Sequence, residues 1–285
     1  MTSGMTGLGQ KRACVVGWPI AHSRSPLIHG HWLARYGIEG SYARVAVKPD
    51  EAADFLRNLR AQGYVGCNVT IPHKEAAFAV ADETLPAARA AGAANTLWYE
   101  GGRLMADNTD GAGFVSSLRA TVPGFAFDGA AVSLLGAGGS ARGIVHALLE
   151  AGAGEVRLFS RTRARADALA GAFGARVKAF DWGARADRSR GASLLVNTTP
   201  LGMHGAGSVE VDLDRLDRNC VIADIVYVPA VTPLLAAAHR RGLATVDGLG
   251  MLLHQAVPGF ERWFGVRPEV TDELRAVLVR DIEGA

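Results

Sequence analysis

The chain has 285 residues, 49% hydrophobic and 20% charged, enough to bury one large core or two smaller ones. A formal charge of +2 without a long basic run leaves no electrostatic footprint for nucleic acid. No apolar run reaches the ~18 residues of a membrane span, so no membrane partner is expected.

The amino-terminal "MTSGMTGLGQKRACVV" enters a strand pattern without the cationic, apolar and cleavage regions of a signal peptide, which predicts a cytoplasmic protein. Cys14, Cys67 and Cys220 each lie in an apolar run and read as buried free thiols. The eight histidines form no zinc-binding spacing; His29-x-His31 has no Cys or acidic residue beside it, and no metal is expected.

"ACVVGWPI" predicts a buried strand, and "SPLIHGHWLARYG" a helix opened by a serine and a proline. The alternation returns in "SYARVAVKP" with "DEAADFLRNLRAQG", then in "YVGCNVTIP" with "HKEAAFAVADE". "NTLWYEGGRLMADNTDG" has apolar runs on both sides of Gly101-Gly102, a tight hairpin that makes the first sheet mixed. The proline and glycines of "TVPGFAFDG" separate a helix from a new strand. "AAVSLLGAGGSARGIVHALLEAGAGEVRLFSRT" then reads as strand, glycine turn, helix and strand, one mononucleotide-binding unit.

Further strands are expected at "ARVKAF", "ASLLVNTTP", "CVIADIVYVP" and "LATVDG", and two helices without strands close the chain. The fold class is therefore α/β with two α/β domains. An amino-terminal mixed-sheet domain for substrate (1–112) is completed by carboxyl-terminal helices (248–285), and a Rossmann-like nucleotide domain spans 113–247.

The nucleotide turn holds Gly136, Gly138, Gly139 and Ala141: glycine for the tight turn and the pyrophosphate's approach, alanine for close helix packing. At the end of the next strand an NAD site needs an acidic residue for the ribose, but Ser160, Arg161, Thr162 and Arg163 stand there. Arginine forks onto phosphate, so NADP is expected; Arg165 reads as a solvated helix charge.

Lys74 lies at a strand-to-helix corner of the type that surrounds ligands in α/β sheets. Asn68 and Thr70 alternate with Val69 and Ile71 and so share a face. Asp110 ends "DNTD" after the hairpin, and an ammonium paired with a carboxylate can pass a hydroxyl proton as hydride leaves the adjacent carbon. Ser23 and Ser25 offer two hydroxyls to a ligand bearing a carboxylate or hydroxyls, or bond within their own turn. Asn95, Tyr227 and Gln255 are further pocket candidates, and His73 reads as structural.

The segments "HSRSP", "NVTIPHK", "AANT", "DNTDG", "GAGGSARG", "SRT", "NTTPLGM", "DIVYVPAVTPLL" and "GLGMLLHQA" together resemble the shikimate dehydrogenase family over roughly residues 11 to 265. The resemblance implies reversible reduction of 3-dehydroshikimate to shikimate with NADPH, a step toward aromatic amino acids. It implies a catalytic pair of Lys74 and Asp110. Shikimate contacts are implied at Ser23, Ser25, Asn68, Thr70, Asn95 and Gln255, and Tyr227 is implied near substrate and nicotinamide.

On the cofactor side it implies Gly136, Gly138, Gly139, Ser140 and Ala141 at the nucleotide turn, Arg161 and Thr162 at the adenosine phosphate, and Met203 packed beside the nicotinamide. Ala137, Ser160, Arg163, Thr199 and Gly248 are further cofactor-binding candidates. Members often carry asparagine where this chain has Ser160. The alternatives are a quinate/shikimate dehydrogenase and a nucleotide-binding regulatory relative without turnover. As an assembly, a monomer or a homodimer is expected.

Overall fold

The structure, a computed structural model, describes residues 10–205 and 207–284; most of the amino-terminal segment read above for a leader lies outside them. By its own contacts the chain divides into two units, with breaks at Asn108/Thr109, Gln255/Ala256 and Val270/Thr271.

The first unit alternates β1 (Lys11–Gly17), α1 (Ser25–Arg35), β2 (Gly40–Ala46), α2 (Ala52–Arg57), β3 (Gly66–Val69), α3 (Lys74–Val80), β4 (Glu83–Thr84), α4 (Pro86–Ala91), β5 (Thr96–Glu100) and β6 (Arg103–Asp107). Its six strands lie in the order β2-β1-β3-β5-β6-β4. Only β5 runs antiparallel to its neighbours, because Gly101 (φ 57°) and Gly102 (φ 85°) close the hairpin to β6 in the left-handed conformation that glycine accepts. The mixed sheet is thus as the sequence predicts, whereas the short β4 and α4 in "DETLPAARAAG" are additional elements.

One face of this sheet buries Cys14, Val16, Cys67, Val69, Leu97 and Ala106 against Leu56, Leu59 and Ala77. The three cysteines are free and buried.

The second unit contains α5 (Asp110–Thr121), β7 (Ala131–Leu135), α6 (Gly139–Glu150), β8 (Glu155–Ser160), α7 (Arg163–Phe173), β9 (Val177–Asp181), α8 (Arg185–Arg188), β10 (Leu194–Asn197), β11 (Val221–Asp224), α9 (Pro233–Arg240) and β12 (Thr245–Val246). Its parallel sheet has the order β12-β11-β10-β7-β8-β9, the doubly wound arrangement with a topological switch beside β7. Both faces are covered. Val132, Leu134 and Leu158 pack with Ile144 and Leu148 of α6, while Leu135, Phe159 and Ile222 pack with Leu234 and Leu235 of α9. Strands buried on both sides explain the continuous apolar runs in the sequence.

Two helices close the chain, α10 (Gly248–Phe264) and α11 (Asp272–Glu283). By contacts, Ala256–Val270 group with the first unit, and the start of α10 and all of α11 with the second. An ion pair from Arg275 to Asp247 binds α11 there, a long-range pairing that helical periodicity cannot disclose. The contact break before α5 falls at Asn108/Thr109. Among the described residues no helix is long and apolar enough to cross a membrane.

Where α10 crosses the first sheet, Trp263 donates its indole N–H to Leu97 O at 2.9 Å, directly over Gly66. A Cβ on Gly66 would collide with that indole and with the Leu97 carbonyl. Gly66→Ala is therefore expected to cost about 1–3 kcal/mol in urea unfolding, the range of an overpacked core; unchanged stability would refute this account of the glycine.

Candidate active site

The register of the first sheet sets three residues in one row: Asn68 on β3 opposite Thr96 on β5, and Thr96 opposite Asp107 on β6. Because β1, β3 and β6 are parallel, their carboxyl ends share one sheet edge with the start of β5. That edge carries Ser23 and Ser25 beyond β1, Thr70 and Lys74 beyond β3, and Asn95 before β5. The chain reaches Asp110 three residues beyond Asp107.

The corner at Lys74 is held from several sides. Thr70 N–H donates to Val16 O at 2.9 Å, His73 N–H to Thr70 O at 2.9 Å, and Ala94 N–H to Lys74 O at 2.9 Å. His73 is buried with Nε2 2.7 Å from Val47 O, so its ring ties the corner to the end of β2. Gly17 has no side chain where the Thr70 methyl passes, since a Cβ there would come within 2.6 Å of it.

The predicted substrate contacts form two hydrogen-bonded groups, Ser23 with Ser25 and Asn68 with Asn95. Ser23 Oγ donates to Ser25 Oγ at 3.3 Å, and Ser25 N–H donates to Ser23 Oγ at 3.4 Å. Tyr42 OH donates to Asn68 Oδ1 at 2.6 Å. Asn68 Nδ2 donates to Asn95 O at 3.1 Å and Thr96 Oγ1 at 3.2 Å, and Thr96 Oγ1 donates to Asn95 Oδ1 at 3.0 Å. Tyr42 and Thr96 were not singled out from the sequence. Both lie inside strands, where a polar residue has no signal until its cross-strand neighbours are known.

In the second unit Asp110 is the first residue of α5, and Thr109 rather than Asp110 occupies the cap position. Gly111 lets α5 press against α6, because a Cβ there would strike the Gly143 carbonyl. Gly113 likewise lies against Gln255, where a Cβ would stand 2.7 Å from the Gln255 backbone nitrogen, and Thr109 Oγ1 donates to Gln255 O at 2.9 Å. Asp110 thereby opens a helix packed on the nucleotide-turn helix, and Gln255 lies against that same α5. Gln255 Nε2 also donates to Leu252 O at 3.0 Å within its own helix.

The glycine turn fits a dinucleotide. Gly136 has φ 115°, and a Cβ on it would lie 2.6 Å from Thr198 Oγ1. A Cβ on Gly138 or Gly139 would meet nothing within 4 Å, so the backbone lies open at the N-terminus of the 12-residue α6, which no side chain caps. Free N–H groups and the positive end of the helix dipole then face an anion. Ala141 is fully buried beneath them, Ala137 is half-buried and packs on the same core, and Ser140 follows Gly139 in the first turn.

At the end of β8, Ser160 Oγ accepts from Thr162 N–H at 3.2 Å, so this serine holds its own turn. Arg163 pairs with Asp167 at 2.9 Å and Asp181 at 3.2 Å. Arg161 is exposed and makes no ion pair among the described residues, which leaves its guanidinium available to a phosphate.

Thr199, Met203, Tyr227 and Gly248 come from loops that are tied together. Thr199 Oγ1 donates to Asn197 Oδ1 at 2.7 Å, His204 N–H to Val228 O at 2.8 Å, and Gly248 abuts the Ile225 carbonyl. Met203 is 43% exposed, not a core residue. Beneath them Asp224 is buried and accepts from Asn197 Nδ2 at 2.9 Å, Val226 N–H at 3.0 Å and Thr232 Oγ1 at 2.8 Å. Sequence reading passed over Asp224 because a carboxylate in an apolar strand gives no sign of what it accepts.

Fold and site define a dinucleotide-dependent enzyme. The model of the shikimate dehydrogenase substrate binding domain matches residues 15–97, that of shikimate/quinate 5-dehydrogenase residues 120–249, and that of the shikimate 5'-dehydrogenase C-terminal domain residues 248–278. Shikimate dehydrogenase (NADP(+)) of Mesorhizobium japonicum is 55% identical over 95% of this chain and 97% of its own. The crystal structure of shikimate 5-dehydrogenase from Thermus thermophilus with NADP(H) and shikimate is similar with a TM-score of 0.83 and 36% identity, covering 96% of this chain and all of that one. Quinate dehydrogenase from Corynebacterium glutamicum with NAD has a TM-score of 0.86 and 29% identity, over 95% of this chain and 99% of that one. The chain belongs to the shikimate dehydrogenase family.

Burial raises the Asp224 carboxyl to about 6, against the lowering pull of its bonds from Val226, Thr232 and Asn197. With an unfolded value of about 3.9, the folded state binds the proton more tightly. Its contribution to stability is then fully present below about pH 4 and is lost as pH rises to about 6. Urea unfolding of the parent and of Asp224→Asn across this window should show the parent losing stability relative to the variant as pH rises; parallel profiles would refute the assignment.

Proposed function

We propose that this chain catalyses the reversible NADPH-dependent reduction of 3-dehydroshikimate to shikimate. The observation that carries this reading is the polar sheet edge of Ser23, Ser25, Asn68 and Asn95 beside Lys74, a set of hydroxyl and amide groups suited to a ligand with several hydroxyls and a carboxylate. NADPH supplies the hydride to the C3 carbonyl when bound.

Lys74 and Asp110 handle the proton. In reduction the pair donates it to the oxygen that was the ketone, and in oxidation it receives it from the C3 hydroxyl. Ser23 and Ser25 hold the substrate carboxylate or hydroxyls, while Asn68, Thr70, Asn95 and Gln255 orient the ring, so that the reacting carbon is presented in one pose. Tyr227 and Met203 are assigned to the nicotinamide end of the coenzyme.

Gly136 through Ala141 receive the pyrophosphate on backbone N–H groups, and Arg161 with Thr162 binds the 2′-phosphate. Arg163 serves this site less directly, since its charge is shared with Asp167 and Asp181. Quinate is the second substrate to assay, because a quinate dehydrogenase is among the similar structures.

Turnover of 3-dehydroshikimate with NADPH tests the activity. Lys74→Ala and Asp110→Ala, each with a parent-like circular dichroism spectrum, are expected to lose about 10²–10⁴-fold in kcat; parent-like turnover in both would remove them from the mechanism. For the coenzyme, Arg161→Ala should lower kcat/KM for NADPH by about 10–100-fold, the worth of a charge-assisted hydrogen bond, and leave NADH little changed. Equal losses with both coenzymes would reject the phosphate role.

A further inference from the structure

The phenol of Tyr42 is bonded to one of the proposed substrate contacts. It donates to Asn68 Oδ1 at 2.6 Å. Burial, together with the neighbouring Cys14 and Cys67 thiols, holds its ionisation well above the ordinary tyrosine range, so it is a hydroxyl donor at any working pH.

The ring has little freedom. The imidazole of His29 stacks on it with centroids 3.9 Å apart and planes 12° apart, and the Trp263 ring lies 5.9 Å away. His29 is in turn enclosed by Trp32 at 5.6 Å, Phe260 at 5.8 Å and Trp263 at 5.5 Å. Neither His29 nitrogen has a hydrogen-bond partner among the described residues. Burial lowers its pKa to about 3, against the opposing influence of the nearby Asn68 amide, so the imidazole is a neutral plate against the phenol.

The consequence falls on Asn68. Both hydrogens of its amide are committed, one to the Asn95 carbonyl and one to the Thr96 hydroxyl. Turning the amide over would set its oxygen against the Asn95 carbonyl oxygen, so the orientation is unique. Tyr42 takes one lone pair of Oδ1 and leaves the other. Asn68 can therefore offer a ligand an acceptor and no donor.

We propose that Tyr42 is the positioning residue that sets substrate selectivity at this edge: its hydroxyl locks Asn68 as an acceptor for a substrate hydroxyl. The proposal rests on the functional reading above and adds a residue and a polarity to it. A ligand that presents a carbonyl or ether oxygen to Asn68 is rejected, whereas a hydroxyl at that place is accepted.

The test is a double-mutant cycle with Tyr42→Phe and Asn68→Ala, in which steady-state KM is measured for shikimate and for NADP+. Phenylalanine keeps the stacked ring and removes only the hydroxyl. In the parent background Tyr42→Phe should raise KM for shikimate by about tenfold, the worth of one buried neutral hydrogen bond, with KM for NADP+ unchanged. In the Asn68→Ala background the same substitution should add less than about twofold, because its effect runs through Asn68.

An active parent whose Tyr42→Phe variant keeps its KM for shikimate would overturn the proposal alone. So would the same fold-loss in both backgrounds, or an equal rise in both KM values, either of which describes a merely structural tyrosine. A parent that turns over no shikimate would overturn the functional reading, and the assignment of Tyr42 with it.

Discussion

The two amide hydrogens of Asn68, given to the Asn95 carbonyl and the Thr96 hydroxyl, bind the parallel part of the first sheet to the antiparallel hairpin. That bond pattern exists only in one register, with Asn68 opposite Thr96 and Thr96 opposite Asp107. A slip of one residue would turn Asn68 toward the core that holds Cys67 and Val69, and would bring an apolar side chain to the edge. Lys74 follows β3 and Asp110 follows β6 at fixed separations along the chain, so the same register governs where each corner begins.

In the second unit the corresponding constraint is backbone contact. Gly111 against Gly143 and Gly113 against Gln255 leave no room for side chains; the first draws the start of α5 against the helix that opens at the glycine turn, the second draws α10 against α5. Gly136 yields to Thr198 in the same way. Beneath the loops, Asp224 collects bonds from β10, from its own loop and from the cap of α9. A buried carboxylate with three donors is costly to desolvate, yet it fixes three segments with one side chain.

The two units differ accordingly. Tyr42, Asn68 and Thr96 are strand residues whose hydrogen-bond partners lie on other strands, which makes their arrangement rigid. In the second unit Gly138, Gly139 and Arg161 at the end of β8 are exposed. There the Ser160 hydroxyl oxygen accepts the Thr162 N–H, while the Arg161 guanidinium is exposed.

Much of this was legible from local signals. Alternating apolar runs and glycine breaks marked the strands and helices, Gly101-Gly102 marked the hairpin, and "GAGGSARG" after an apolar strand marked the nucleotide turn, because each depends on residues within a few positions of one another. The resemblance in separated short segments pointed to Lys74, Asp110 and the polar edge. What the sequence could not determine was every relation that closes over a long stretch of chain. Tyr42 meets Asn68 only through the pairing of β2, β1 and β3, Asp247 meets Arg275 only when α11 folds back on the second unit, and Asp224 finds its donors only when β10 and α9 are in place. Side-chain periodicity specifies which face a residue takes on its own element; the partner across that face is set by packing of elements far apart in the chain, and there the tertiary structure alone decided.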